Sequence, residues 1–103
     1  MKIKWNSSAR ADMRQVARYV NRKFGRKARQ EFMQRVKDAE QRIANQPNIG
    51  SIDPLYADRT LTYRSIIING LNKLVYRVDG DIIYIVDFWD TRREPKNQAR
   101  QTK

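Results

Sequence analysis

The sequence contains no cysteine and no histidine. Without cysteine there is no disulfide, no thiol nucleophile and no thiolate metal site, an inventory that suits a reducing compartment. Without histidine, a Ser-His or Cys-His nucleophile, a histidine general base and every histidine-dependent zinc site are excluded. Long apolar runs are missing as well. Met1 to Arg10 alternates lysine with apolar residues and carries no apolar leader segment. The longest mostly apolar stretch, Ile82 to Trp89, contains Asp87 and is too short to span a bilayer. The expectation is a soluble, unsecreted, cytoplasmic protein with no membrane partner.

What is present in excess is positive charge. Over 103 residues, 22 Lys and Arg stand against 11 Asp and Glu, a formal net charge of +11. A chain of this length suits one small domain with a modest core, here expected over residues 1–103 with a loose basic tail from about residue 96. Excess charge of this size opposes compaction and calls for an anionic partner or a solubility reason.

Hydrophobic periodicity divides the chain. Lys2-Ile3-Lys4-Trp5 alternates as a short strand with Ile3 and Trp5 on one face. Ser7 or Ser8 offers a helix N-cap, and Ala9, Met13, Val16, Ala17, Val20 and Phe24 form one apolar stripe at the helical period, ending at Gly25. This predicts a helix from Ala9 to Phe24. A second stripe, Ala28, Phe32, Val36, Ala39 and Ile43 with Met33, continues to Asn45 before Pro47 and Gly50. Two helices joined at one glycine make an αα-hairpin. Gly50 to Asp58 reads as a loop carrying Leu55 and Tyr56. Leu61 to Ile68, Leu71 to Val78 and Ile82 to Trp89 are rich in β-branched and aromatic residues and are separated by Asn69-Gly70 and Asp79-Gly80. Such dipeptides are strong hairpin signals, so the second half reads as a three-stranded antiparallel meander. The expected class is α+β, an N-terminal strand and a meander in one sheet with both helices on one face.

If Asp79-Gly80 is the turn, Tyr76 pairs with Ile83 and Leu74 with Ile85. Leu74, Tyr76, Val78, Ile83 and Ile85 then face the helices, while Lys73, Val75, Arg77, Ile82, Tyr84, Val86 and Phe88 share the other face. That second face mixes cations with aromatics, which suits a phosphate backbone and stacked bases and equally a solvated sheet whose long cations cover apolar neighbours. The predicted helical hairpin, Ala9 to Gln46, holds eleven cations and four anions, a net of +7. Arg10, Arg14, Arg18 and Arg22 recur every four residues, a spacing that costs about 0.2–0.5 kcal/mol per like-charged pair. A surface for an anionic partner or a solvated helix face both fit this row.

Acid-base chemistry would fall to Lys, Tyr, Asp or Glu, with arginine neutralising a phosphate electrostatically. RNA strand cleavage suits that inventory, because the ribose supplies its own 2′-OH nucleophile and no metal is required. Asp87 and Asp90, near one strand end, are the candidates for holding Mg²⁺, but an Asp before Thr-Arg-Arg is more simply a turn residue or ion-pair partner. No metal and no cofactor are expected.

The order of elements, with Ile3-Lys4-Trp5-Asn6-Ser7-Ser8-Ala9, Asp12-Met13, Tyr19-Val20, Lys73-Leu74-Val75-Tyr76-Arg77-Val78 and Ile83 to Asp87 leading into Trp89-Asp90-Thr91-Arg92-Arg93-Glu94-Pro95, resembles the RelE/ParE superfamily of toxins from type II toxin-antitoxin modules over nearly the whole chain. The resemblance implies a growth-arresting toxin held inactive by a cognate antitoxin. RelE-like members cut mRNA in the ribosomal A site, whereas ParE-like members poison DNA gyrase. Carried onto this sequence, the RelE-like pattern implies Lys73 and Arg92 at the phosphate; together with the cations and aromatics of the second sheet face, the candidate catalytic residues are Lys73, Arg77, Arg92 and Tyr84, and the candidate nucleic-acid surface is Arg64, Lys73, Arg77, Arg92 and Arg93. Lys73 stands where that pattern has arginine. The pattern's later tyrosine aligns with about Gln98, which leaves Tyr84, Tyr56 or Tyr63 to replace it. The long hairpin and the Lys-Trp-Asn-Ser-Ser-Ala start look more like the ParE branch. The sequence-based expectation is metal-independent, ribosome-dependent mRNA cleavage, with gyrase poisoning as the near-equal alternative and a non-toxic nucleic-acid-binding module as a third reading.

Overall fold

The computed structural model describes residues 1–58 and 60–90. Strand β1 (Lys2–Trp5) leads through Asn6 into α1 (Ser7–Phe24), and one glycine separates α1 from α2 (Arg26–Asn45). The chain then forms β2 (Ser51–Ile52), a 3₁₀ turn (Pro54–Tyr56), β3 (Arg64–Ile67), β4 (Asn72–Asp79) and β5 (Ile82–Asp90). The five strands make one sheet in the order β1-β5-β4-β3-β2, with β1 parallel to β5 and the other pairs antiparallel. This is the expected α+β arrangement, with one strand more. Residues 51–52, expected within a loop, pair with Ser65 and Arg64 as an edge strand.

The two apolar stripes bury as their periodicity requires, except at Phe24, which ends the first and is exposed. Ala9, Met13 and Ala17 of α1 and Phe32, Val36, Ala39 and Ile43 of α2 pack on Ile66, Leu74, Tyr76, Ile83, Ile85 and Phe88 of the sheet, with Ile3 and Trp5 at its edge. The N-cap of α1 is Asn6, not Ser7 or Ser8. Its side-chain oxygen accepts from the Ala9 N–H at 2.8 Å, and its Nδ2 donates to the Val86 carbonyl at 3.0 Å. One side chain thereby ends β1, starts α1 and anchors both to β5. Gly25 closes α1 through its N–H to the Asn21 carbonyl and accepts the first bond of α2 from Arg29. Its φ of +96° explains why glycine sits there.

The turn between β4 and β5 is displaced from the expected position. Val78 pairs with Ile83 and Tyr76 with Ile85, so Gly80-Asp81 is the two-residue connection. Gly80 has φ +61° and no non-glycine residue has positive φ among those described. A single positive φ at the first central position is the II′ pattern, whereas a turn centred on Asp79-Gly80 would need two. Each residue's partner thereby moves by two, which keeps the alternation of faces, but Val78, expected against the helices, is 40% exposed and lies outside the core. Further along, Val75 pairs with Asp87, leaving Val86 as a bulged extra residue. The bulge inverts the alternation, so Phe88 lies opposite Leu74 on the helix side, contrary to the expectation. There its ring meets Phe32 edge-on at 6.0 Å. The β3–β4 loop is Asn69-Gly70-Leu71, closed by the Asn69 carboxamide oxygen accepting from the Leu71 and Asn72 amides.

Tyr76 fixes the entry into the sheet. Fully buried, it donates its hydroxyl to the Pro47 carbonyl at 2.7 Å and accepts from the Gly50 N–H at 3.0 Å. A Cβ at Gly50 would sit 2.8 Å from that hydroxyl and 2.9 Å from the Ser65 carbonyl. Gly50→Ala is therefore expected to lower stability by about 1–3 kcal/mol through overpacking, read as a shift of the urea midpoint at constant slope. Among the described residues no helix is long and apolar enough to cross a membrane.

Candidate functional site

The sheet face away from the helices is a second, smaller core. Tyr56 and Tyr63 pack over Val75 and Val86, with Leu55 and Tyr84 beside them, and the two tyrosine rings lie 5.0 Å apart. The Tyr56 hydroxyl donates to Asp87 Oδ2 at 2.9 Å, and Trp89 is buried opposite Lys73. The segment from Asp53 to Tyr63 thus covers much of the surface that the sequence left open for a ligand.

Local chemistry holds that cover down. Asp53 caps the 3₁₀ turn, its Oδ1 accepting from the Leu55 N–H at 3.0 Å, with Pro54 at the first position of the turn. Its Oδ2 lies 2.7 Å from Lys73 Nζ. Asp53 is 1% exposed and the Lys73 side chain 14%, so this is a nearly dry ion pair linking the covering segment to β4. The Asp-Pro dipeptide is the signal that could have revealed the cap. Nothing local in the sequence marks its partner twenty residues on.

The other sequence-predicted residues separate. The Arg77 guanidinium stacks over the Tyr84 ring at 4.4 Å and lies 3.7 Å from Asp79 Oδ2, so these two candidates do meet, at the turn end of the second face. Arg64 pairs opposite Tyr76 on the helix side and reaches around β2, donating to the carbonyls of Gly50 at 2.9 Å and Asn48 at 3.4 Å. Arg64 and Arg77 both line a shallow depression of about 430 Å³ with Thr60, Leu61 and Thr62. Arg92 and Arg93, and the tail from about residue 96, lie outside the described residues. Asp87 accepts from Tyr56 and from the Phe88 amide and is buried, while Asp90 is half-buried at the end of β5.

A larger groove, about 840 Å³, opens between the helical hairpin and the β3–β4 loop. Val16, Tyr19, Val20, Phe24, Phe32, Leu71 and Phe88 line it, together with Asp12, Arg18, Arg22, Glu31, Arg35 and Asp90. Tyr19 and Phe24 are 45% and 64% exposed, high for aromatics. The groove went unnoticed in the sequence because Phe24 completes the apolar stripe of α1 and reads as core.

A family model described as the ParE toxin of the type II toxin-antitoxin system parDE matches residues 3–95. The chain belongs to the ParE toxin family. A solved structure described as the chromosomal ParDE toxin-antitoxin system from P. aeruginosa has the same fold. It superposes with a TM-score of 0.70 at 19% identity, over 87% of this chain and 95% of that one. No curated protein matches. As a ParE-family member the protein is the toxin half of a two-component module, and a cognate antitoxin is its implied partner. In this ParE toxin, two of the cations expected to contact phosphate, Lys73 and Arg77, are each engaged by a carboxylate of the same chain.

Proposed function

We propose that this ParE toxin arrests growth by poisoning DNA gyrase rather than by cutting mRNA. The observation that carries the reading is the Asp53–Lys73 pair beneath the covering segment. A lysine that neutralises a buried carboxylate is not available to a scissile phosphate, and withdrawing it would strand Asp53. Tyr84 lies under the Arg77 guanidinium. Binding a protein target needs no proton-transfer pair, so the missing histidine and the departure at Gln98 are no obstacle. A target in the cytoplasm agrees with the lack of a membrane-spanning helix among the described residues.

The groove beside α1 supports neutralisation by an antitoxin. Its exposed Tyr19 and Phe24 and its charges of both signs suit an amphipathic segment laid against the hairpin. The depression holding Arg64 and Arg77 favours the second reading, ribosome-dependent mRNA cleavage. Induction in growing cells separates the two. The gyrase reading expects a DNA-damage response with unchanged mRNA 5′ ends, and the RNA reading expects new 5′ ends within coding regions and no damage response. Co-expression of the antitoxin abolishes either effect.

A further inference from the structure

We propose that the exposed arginine row of α1, Arg10, Arg14, Arg18 and Arg22, binds the phosphate backbone of duplex DNA, Arg18 and Arg22 from the border of the groove. The four side chains are exposed and recur every four residues. At 1.5 Å rise per residue the row is about 18 Å long on one rigid helix. Between Asp12 and Glu31 there are seven cations and no acid. The Lys73–Asp53 and Arg77–Asp79 pairs both belong to the sheet side. Like charges at this spacing oppose the helix; the row serves something other than folding. Arg10 is steadied by its guanidinium lying 5.7 Å from the centre of the Trp5 ring.

The chemistry of the row selects the partner. All four residues are arginine, whose planar fork matches phosphate oxygens in pairs. Protein interfaces have a centre depleted in charge and rich in apolar groups; here Ala11, Gln15 and Asn21 lie between the rungs. Single-stranded nucleic acid needs aromatic stacking platforms, and the exposed aromatics Tyr19 and Phe24 turn instead into the groove. A duplex carries one charge per about 1.7 Å of axis, a dense polyanion for a row that winds about 120° around α1 from Arg10 to Arg22.

Fluorescence anisotropy of a labelled mixed-sequence duplex, titrated with the full chain and no gyrase present, tests this independently of the gyrase reading. The dependence of log K on log salt is expected to have a slope of about −3.6, roughly a 150-fold weakening between about 50 and 200 mM salt. The triple variant Arg14→Gln, Arg18→Gln, Arg22→Gln is expected to reduce that slope by about 3, with helicity kept because glutamine is a good helix former. The charge-matched triple Lys2→Gln, Lys37→Gln, Arg42→Gln is expected to leave the slope near wild type. Should the first triple melt early, Arg18→Gln alone carries the test, with a drop of about 1. Absent binding, equal losses in both triples, or equal or tighter binding of single-stranded DNA, an RNA duplex or polyglutamate would each overturn the proposal.

Discussion

Tyr76→Ala is expected to destabilise the protein by about 3–5 kcal/mol, the range for truncating a large aromatic in a packed core. The ring is fully buried between the helices and the sheet. Its hydroxyl, bonded to Pro47 and Gly50, also pins the chain where α2 gives way to β2. Tyr76→Phe separates the two contributions. It keeps the packing and leaves two backbone groups without their partner, at a cost of about 1–3 kcal/mol. The two variants also differ in alkali. Burial pushes the Tyr76 phenol above its ordinary value, opposed by the Gly50 N–H and the nearby Arg64 charge. A folded-state value above the unfolded one means that this stability is complete below about pH 10 and is lost as the pH rises through the folded value. Wild type should therefore lose urea resistance above about pH 10 more steeply than Tyr76→Phe. A Tyr76→Ala protein melting near wild type would place this side chain outside the core.

Lys73→Ala is expected to cost about 2–3 kcal/mol, toward the low end for a broken buried pair because the ammonium keeps some contact with water. The loss arises at Asp53, whose carboxylate is left dry and unpaired while still capping the 3₁₀ turn. Replacing both partners with apolar residues, Lys73→Met with Asp53→Leu, should recover part of that stability, since a dry pair exchanged for packing is often neutral or better. The loss of the cap at Leu55 limits the recovery. Growth arrest discriminates more sharply than melting does. On the present account the folded double variant still arrests growth, because Lys73 acts on the fold alone. A folded double variant that no longer arrests growth would return Lys73 to the target-contacting surface.

The helices were legible because each repeats its apolar residues at the helical period over at least four turns, and the glycine between them has one structural meaning. The helix-facing side of β4 and β5 was legible for a subtler reason. Moving the turn from Asp79-Gly80 to Gly80-Asp81 shifts both partners together and leaves the alternation intact. Phe88 was misplaced because the bulge at Val86 reverses that alternation after Ile85, and a bulge leaves no mark in a run of β-branched and aromatic residues. The expected caps, Ser7 or Ser8, give way to Asn6 just before them; all three are competent, and the bond from Asn6 to β5 decides between them. The candidate site was less legible than the fold. Lys73, Arg77 and Tyr84 were placed on the correct face, but what occupies that face depends on contacts between residues twenty or more apart in sequence. Asp53 meeting Lys73 and Tyr56 meeting Asp87 are tertiary events.

The toxin is proposed to act on gyrase while its sheet-face cations serve the fold. Purified gyrase incubated with relaxed plasmid, ATP and the full chain tests this most directly, with supercoiling and protein-linked linear DNA read from the same reaction and a parallel translation reaction mapped for mRNA 5′ ends. Lost supercoiling, accumulation of linear plasmid and intact mRNA are expected. Unimpaired supercoiling beside ribosome-dependent mRNA cuts would contradict the gyrase reading.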